Sequence, residues 1–227
     1  MDKHVIYALP GLGADRRMFS YQLQLDYDWR FVDWIAPIKG ESMTEYAKRY
    51  SGLFDTSRPF SILGVSLGGM MCMEVAKYID PEQVILVSSC KTANELPTQL
   101  RALRKAKLHK LINARILKQM IKFYSNTVGD LSGELKYLFN HMVENSDPDF
   151  MMWAANAVIT WDNTDIPDHV VHIHGSKDKV LQYQFVHPDY TVDGGSHYMI
   201  GTRVHEVNAL LDKVLSRVPT FSKSNNN

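Results

Sequence analysis

Three residue types that can do chemistry together are spread along this chain of 227 residues: a serine, an aspartate and a histidine, each beside glycine. Ser66 stands between glycines in GVSLGG, Asp178 follows a histidine–glycine pair in HGSKD, and His197 follows a glycine pair in GGSHY. A serine hydroxyl is a weak nucleophile. It needs a base to take its proton, an acid to orient that base, and N–H donors for the oxyanion that its attack creates. A set of this kind supports acyl transfer through a covalent intermediate, provided that the fold brings the three side chains to one place.

The elements around Ser66 are legible from hydrophobic spacing. Phe60, Ile62, Leu63 and Val65 form a short apolar run after Pro59, which suits a strand covered on both faces. From Leu67 the spacing turns helical, with Met70, Met71, Met73, Val75 and Tyr78 on two apolar flanks. Ser66 is therefore expected where a strand becomes a helix with almost no loop. Gly64 and Gly68 allow close packing there and a strained serine backbone. The helix start aims N–H groups and a positive dipole end at charge that develops near Ser66. With 13 Gly and 16 Ser, a G-x-S-x-G arises by chance about 0.05 times in a chain of this length. The bland alternative is a tight turn with an inert serine.

Asp178 and His197 each follow an expected strand, as Ser66 does. Asp178 could bond an imidazole and fix its tautomer, or simply cap the segment after it. Asp165 and Asp168 precede a strand, and Asp193 shares a short loop with the histidine it would have to face. Among nine histidines, His197 lies in a loop after a strand, whereas His187 precedes one. His172 and His174 alternate on a strand and could share a metal, but no further ligand follows at close spacing. The turn PGLG after the first strand offers the backbone N–H of Leu12 opposite that of Leu67, a pair of oxyanion donors. Asp15 reads as a cap for the next helical turn. Arg16 and Arg17 read as surface charges, either of which could meet a substrate carboxylate.

Strand-type runs recur at His4–Leu9, Arg30–Ile35, Phe60–Val65, Val84–Val87, Val170–His174 and Tyr190–Val192, with helical stretches at Ser42–Phe54, Leu67–Ile79 and His197–Val214. This alternation predicts a doubly wound, mostly parallel sheet with ligands at the strand C-termini. Residues 91–161 carry no strand pattern but several helical ones. Leu100, Leu103, Leu108, Leu111, Ile112, Ile116, Met120 and Ile121 recur at helical spacing, and SDPDF offers Asp147 as N-cap with Pro148 in the first turn. Lys91 to Lys122 holds nine Lys+Arg and one Glu, a net of +8, against 16 basic and 24 acidic residues elsewhere, −8. Such a segment either attracts anionic groups or surfaces or balances an acidic body.

Composition narrows the remaining classes. Lys+Arg and Asp+Glu are both 25, which gives no sign of a nucleic-acid partner. No apolar run approaches a membrane span, and MDKHVIYALPG is unlike a secretory leader. Cys72 and Cys90 suggest buried thiols and a reducing, cytoplasmic setting rather than a disulfide framework. The expected organisation is a core of 1–90 and 162–220, an inserted helical cap at 91–161 and a disordered tail at 221–227.

Taken together, PGLG, GVSLGG, HGSKD and GGSHY resemble the α/β-hydrolase family over nearly the whole chain, in the family's own order of Ser, Asp and His. The resemblance implies an α/β-hydrolase fold with a reduced, mostly parallel sheet of about six strands, helices on both faces and an inserted helical cap. It also implies Ser66 as nucleophile, Asp178 as acid, His197 as base, and Leu12 and Leu67 as oxyanion donors. Pro10 stands where many relatives have histidine, and the chain begins at what resembles the family's third strand. The implied activity is that of a serine hydrolase on small or medium apolar esters or thioesters, as a monomer or homodimer, with no cofactor or metal. Met142, Phe150, Met151, Met152, Trp153 and Trp161 supply apolar surface in the cap, most of it helix packing and one or two residues for the pocket. A slow ligand receptor on the same fold, or a cofactor-free lyase or peroxidase, is the alternative.

Overall fold

In a computed structural model of the chain, residues 3–106, 113–127 and 130–217 are described. Six strands form one sheet: β1 (Val5–Leu9), β2 (Asp28–Phe31), β3 (Phe60–Val65), β4 (Gln83–Val87), β5 (Val170–Gly175) and β6 (Tyr190–Val192). Their order is β2-β1-β3-β4-β5-β6, and every neighbouring pair is parallel. A parallel sheet must be covered on both faces, which explains why the central strands β1, β3 and β4 are almost wholly buried and mostly apolar. Alternate residues feed two cores. Val5, Tyr7, Leu9, Ile62, Val84 and Leu86 join the core beneath α1 (Met43–Ser51) and α2 (Leu67–Val75). Ile6, Ala8, Leu63, Val65, Ile85 and Val87 join the opposite one.

The other face is closed by α7 (Met199–Thr202) and α8 (Val204–Leu215) through Met199, Ile200, Val207 and Leu211. The expected helix His197–Val214 is therefore two helices, parted at Arg203, whose N–H still bonds Met199 O at 2.8 Å. Helix α1 starts at a capping box in which Ser42 accepts from Glu45 N and Glu45 returns a bond to Ser42 N. The chain turns after α1 and α2 sooner than expected, at Gly52 and Ala76.

Strand β2 lies two residues upstream of its expected start and ends four residues before its expected end. Past Phe31 the apolar residues serve packing rather than the ladder. Trp34 stacks on Tyr50 and Phe150 at 5.2 and 5.3 Å, and both the N–H and the C=O of Ile35 bond the Tyr46 hydroxyl at 2.9 Å. The strand itself is a half-buried edge that carries Asp28 and Arg30, paired at 3.0 Å.

Between β4 and β5 the chain forms α3 (Thr98–Ala106), α4 (Ala114–Thr127), α5 (Gly133–Asn145) and α6 (Pro148–Thr160). Helix α4 packs on α5 and α6, and α3 on α6. Asp147 caps α6 by accepting from Phe150 N at 2.7 Å, with Pro148 at its first position. Helix α6 is built into the core: Phe150, Trp153, Ala154, Ala157 and Trp161 all belong to the cluster beneath α1 and α2. Trp161 Nε1 donates to buried Glu74 of α2 at 2.8 Å, and Glu74 also accepts from Thr44 and Lys77. The expected apolar positions Leu108, Leu111 and Ile112, the side chain of Leu103 and the tail 221–227 lie outside what is described. Cys72 and Cys90 are free and buried, and burial pushes both thiols up. Among the described residues no helix is long and apolar enough to cross a membrane.

Candidate active site

Strand β1 lies inside the sheet, with β2 on one side and β3 on the other. Neighbouring strands β1 and β3 therefore lead away in different directions at their C-terminal ends, which is where an open α/β sheet leaves a crevice. The turn after β1 holds Pro10, Gly11 and Leu12, and the turn after β3 holds Ser66. A Cβ added at Gly11 would sit 3.4 Å from Ser66 Cβ.

Ser66 joins β3 to α2 with no intervening loop and φ 54°, ψ −119°. Side chains avoid this region because Cβ crowds the backbone, so the surroundings must hold it. They do so from three sides. Ser66 N–H donates to Val87 O at 3.1 Å, and Ser66 O accepts from Gly69 N at 2.9 Å and from Ser89 Oγ at 2.7 Å. Close backbone packing does the rest: a Cβ at Gly68 would lie 2.1 Å from Leu9 O, and one at Gly64 2.2 Å from Gly68 O. Ser89, on the turn after β4, was not anticipated from sequence, since no motif links it to Ser66.

Asp178 and His197 arrive from β5 and β6. The two turns lie backbone to backbone: Lys177 N–H donates to Gly195 O at 2.9 Å, and a Cβ at Gly175 would meet that oxygen at 2.2 Å. Asp178 makes two kinds of contact at once. Its Oδ1 accepts from Val180 N and Leu181 N at 2.8 and 2.9 Å, which caps the turn that follows. Its Oδ2 accepts from His197 Nδ1 at 2.7 Å. His197 Nε2 is thereby left bare and lies 3.0 Å from Ser66 Oγ, in place to accept its proton. Burial pushes the Asp178 carboxyl up, but the adjacent His197 and hydrogen bonds from His174 and His197 outweigh it and hold the group well below the usual carboxylate range.

His172 and His174 occupy the strand behind this line. His174 Nε2 lies 2.8 Å from Leu181 O, which only accepts, so Nε2 carries the proton and Nδ1 is the acceptor. His172 Nε2 then donates to that Nδ1 at 3.0 Å. The same His174 N–H is 3.3 Å from Asp178 Oδ2. Burial first, then His174 and Lys91, push His172 down to about 2, so it stays neutral. The H-x-H pair thus spends its facing nitrogens on each other. Among the described residues, no group of three His, Cys, Asp or Glu is placed to hold a metal ion.

Asp130, between α4 and α5, takes hold of the histidine loop from the other side. It accepts from Ser196 Oγ, the residue before His197, and from Thr202 Oγ1 at 2.8 Å. Nothing in the local sequence around Asp130 signals this contact.

Above Ser66 lies a cavity of about 670 Å³, lined by Leu12, Leu67, His197 and, from the insertion, mostly apolar side chains such as Leu117, Tyr124, Leu135 and Phe139. Of the six apolar residues singled out in the sequence between β4 and β5, Met142 and Met152 reach the cavity, while Phe150, Met151, Trp153 and Trp161 are buried among core residues. Leu67 opens α2, so its N–H is among the first-turn donors that a helix leaves without an internal acceptor. Asp15 caps the 3-10 turn Arg16–Phe19 through Arg17 N. Arg17 also reaches the cavity rim, with its guanidinium held on Asp15 at 2.6–3.1 Å.

No family model and no curated protein matches this chain. Solved structures do. A lipase-esterase related protein from Clostridium acetobutylicum aligns at 16% identity and TM-score 0.69, covering 94% of this chain and 95% of that one. A hydrolase from Pseudomonas aeruginosa aligns at 16% and TM-score 0.73, covering 94% and 90%. MenH from S. aureus aligns at 14% and TM-score 0.73, covering 95% and 94%. Likeness at such identities speaks for the architecture, and with the six parallel strands it establishes the α/β-hydrolase fold.

Proposed function

We propose that this protein is a serine hydrolase that cleaves carboxylic esters or thioesters of apolar acyl groups through an acyl-enzyme on Ser66. The observation that carries the reading is the single hydrogen-bonded line from Asp178 Oδ2 through His197 to Ser66 Oγ, at 2.7 and 3.0 Å, which ends on a serine held at φ 54°.

In the first step His197 Nε2 takes the Ser66 proton as Oγ bonds to the acyl carbon. The carbonyl oxygen becomes an oxyanion between the backbone N–H groups of Leu12 and Leu67, next to the positive end of the α2 dipole. Collapse of this intermediate expels the alcohol or thiol, which receives its proton from His197. A water then gives its proton to His197, attacks the acyl carbon, and releases the acid and free Ser66 by the same route. Asp178 keeps the imidazole in the tautomer that presents Nε2 to the serine, and its negative charge stabilises the imidazolium that forms twice per turnover.

The α3–α6 insertion acts in this scheme as a cap that supplies the acyl pocket. Its aliphatic and aromatic lining and its volume of about 670 Å³ suit a medium apolar acyl chain better than acetate.

The test is steady-state hydrolysis of p-nitrophenyl esters from acetate to decanoate, with wild type beside Ser66→Ala. Repeated turnover that peaks above butyrate, and falls by about 10⁴–10⁶ in the variant, is the expected result. Wild type and variant equally inert across the series would overturn the reading and favour a binding protein on the same fold.

A further inference from the structure

Between Glu95 and Asp130 the sequence contains eight Lys or Arg and no acidic residue. The described part of this stretch also exposes large apolar side chains: Ile116, Met120 and Phe123 of α4 are 43%, 52% and 70% exposed. At about 100° per residue, these three fall within about 60° of one another around the helix. The residues that follow on one side of this stripe, Tyr124, Leu117 and Ile121, line the cavity, and Met120 belongs to both sets. On the other side come Arg115, Lys122 and Lys118. Glu144 offsets one of these charges through Lys122, and Lys118 donates to the carbonyls of Glu144 and Ser146 at the end of α5.

Around α4 the order is therefore cavity, apolar stripe, cations. A lipid surface with anionic headgroups has the complementary order, since acyl chains lie beneath a layer of negative charge. A second copy of this chain fits less well. A symmetric dimer through the stripe would set the cations of α4, a helix with no acidic residue, against their own image. A nucleic acid would meet the cations but has no use for the stripe. The −8 carried outside Lys91 to Lys122 would be repelled by an anionic surface, which fixes which side faces it.

We propose that the apolar stripe and flanking cations of α4 dock on an anionic lipid surface, with the cavity above Ser66 opening beside the acyl chains through the Met120 rim. Docking is a property of the surface alone. That the amphiphiles entering there are cleaved rests on the hydrolase reading.

The test is co-sedimentation of the Ser66→Ala protein with phosphatidylcholine vesicles, with or without about 30% phosphatidylglycerol, which keeps docking separate from turnover. Expected are binding to the anionic vesicles, at least about tenfold less to the neutral ones, and release by about 0.5 M salt. Adding Ile116→Ser with Phe123→Ser, or Arg115→Glu alone, should each weaken binding about fivefold or more. These side chains are exposed, so unchanged thermal unfolding is the folding control. Equal binding to both vesicle types, or anionic binding that these substitutions leave intact, would overturn the proposal. So would a wild-type dimer that Ile116→Ser with Phe123→Ser dissolves, since the stripe would then be a contact between copies.

Discussion

His174 Nε2 stands 3.3 Å from Oδ2 of Asp178, the oxygen that also accepts from His197 Nδ1 at 2.7 Å. Asp178 is thus gripped by two imidazoles and two backbone amides, with His172 behind fixing the direction of His174. A carboxylate bonded this way has one orientation, and so has the ring it holds.

In the proposed mechanism His174 is therefore a positioning residue. His174→Phe removes a donor from Asp178 and the acceptor of His172, and should lower kcat about tenfold or more with little change in KM. His174→Gln, which restores an N–H near the same place, should recover much of the lost kcat. A kcat unmoved in the Phe variant, or lost equally in the Gln variant, would reduce His174 to a packing role.

The lowered Asp178 carboxyl makes a second prediction about stability. A group whose native pKa lies below its unfolded value stabilises the fold above that unfolded value, about 3.9 for Asp, and loses the contribution as pH falls further. Wild type should therefore exceed Asp178→Asn in stability near neutrality, and the gap should narrow below about pH 4. Urea unfolding of both proteins between pH 3 and 8 reads the difference directly. A gap that stays constant through acid would mean that Asp178 gains nothing from being charged.

Strain at Ser66 makes a third. A side chain at φ 54°, ψ −119° costs about 1–3 kcal/mol that glycine does not incur. Ser66→Gly should abolish turnover while raising Tm by about 2–4 °C for each kcal/mol released in a chain of this size. Ser66→Ala, which keeps the Cβ, should abolish turnover without that gain. Calorimetry of the two variants beside wild type decides between strain and an unstrained turn.

Much of this arrangement was legible because it is local. Ser66, Asp178 and His197 each follow a strand and stand within three residues of a glycine, and at Ser66 the change from a continuous apolar run to helical spacing marks the place in the sequence alone. Ser89, His174 and Asp130 were not legible as partners, because each acts on a residue brought near only by the sheet order or by the insertion. The edge strand was misplaced for a related reason: Trp34 and Ile35 look like strand residues but are apolar to fill space under α1 and α6. The break at Arg203 escaped because Met199 to Leu215 keeps apolar spacing across it, with both pieces facing the same core.

Asp130 offers the last test, of whether the insertion helps to place the base. Its carboxylate accepts from Ser196 and Thr202, on either side of His197, while Ser196 Oγ itself accepts from Tyr198 N at 3.0 Å. The same loop is already clamped from below by the bond from Lys177 N–H to Gly195 O. If the lower clamp sufficed, Asp130→Ala would leave kcat as in wild type. A displacement of about 1 Å at a base can cost up to about 10²-fold, and Ser196 is the direct neighbour of His197, so the expected outcome is a kcat lowered by about tenfold. The rate of Ser66 labelling by a fluorophosphonate should fall in parallel, since it depends on the same base, while Tm changes by only a few degrees. Wild-type labelling with a raised KM would instead assign Asp130 to holding the cavity wall.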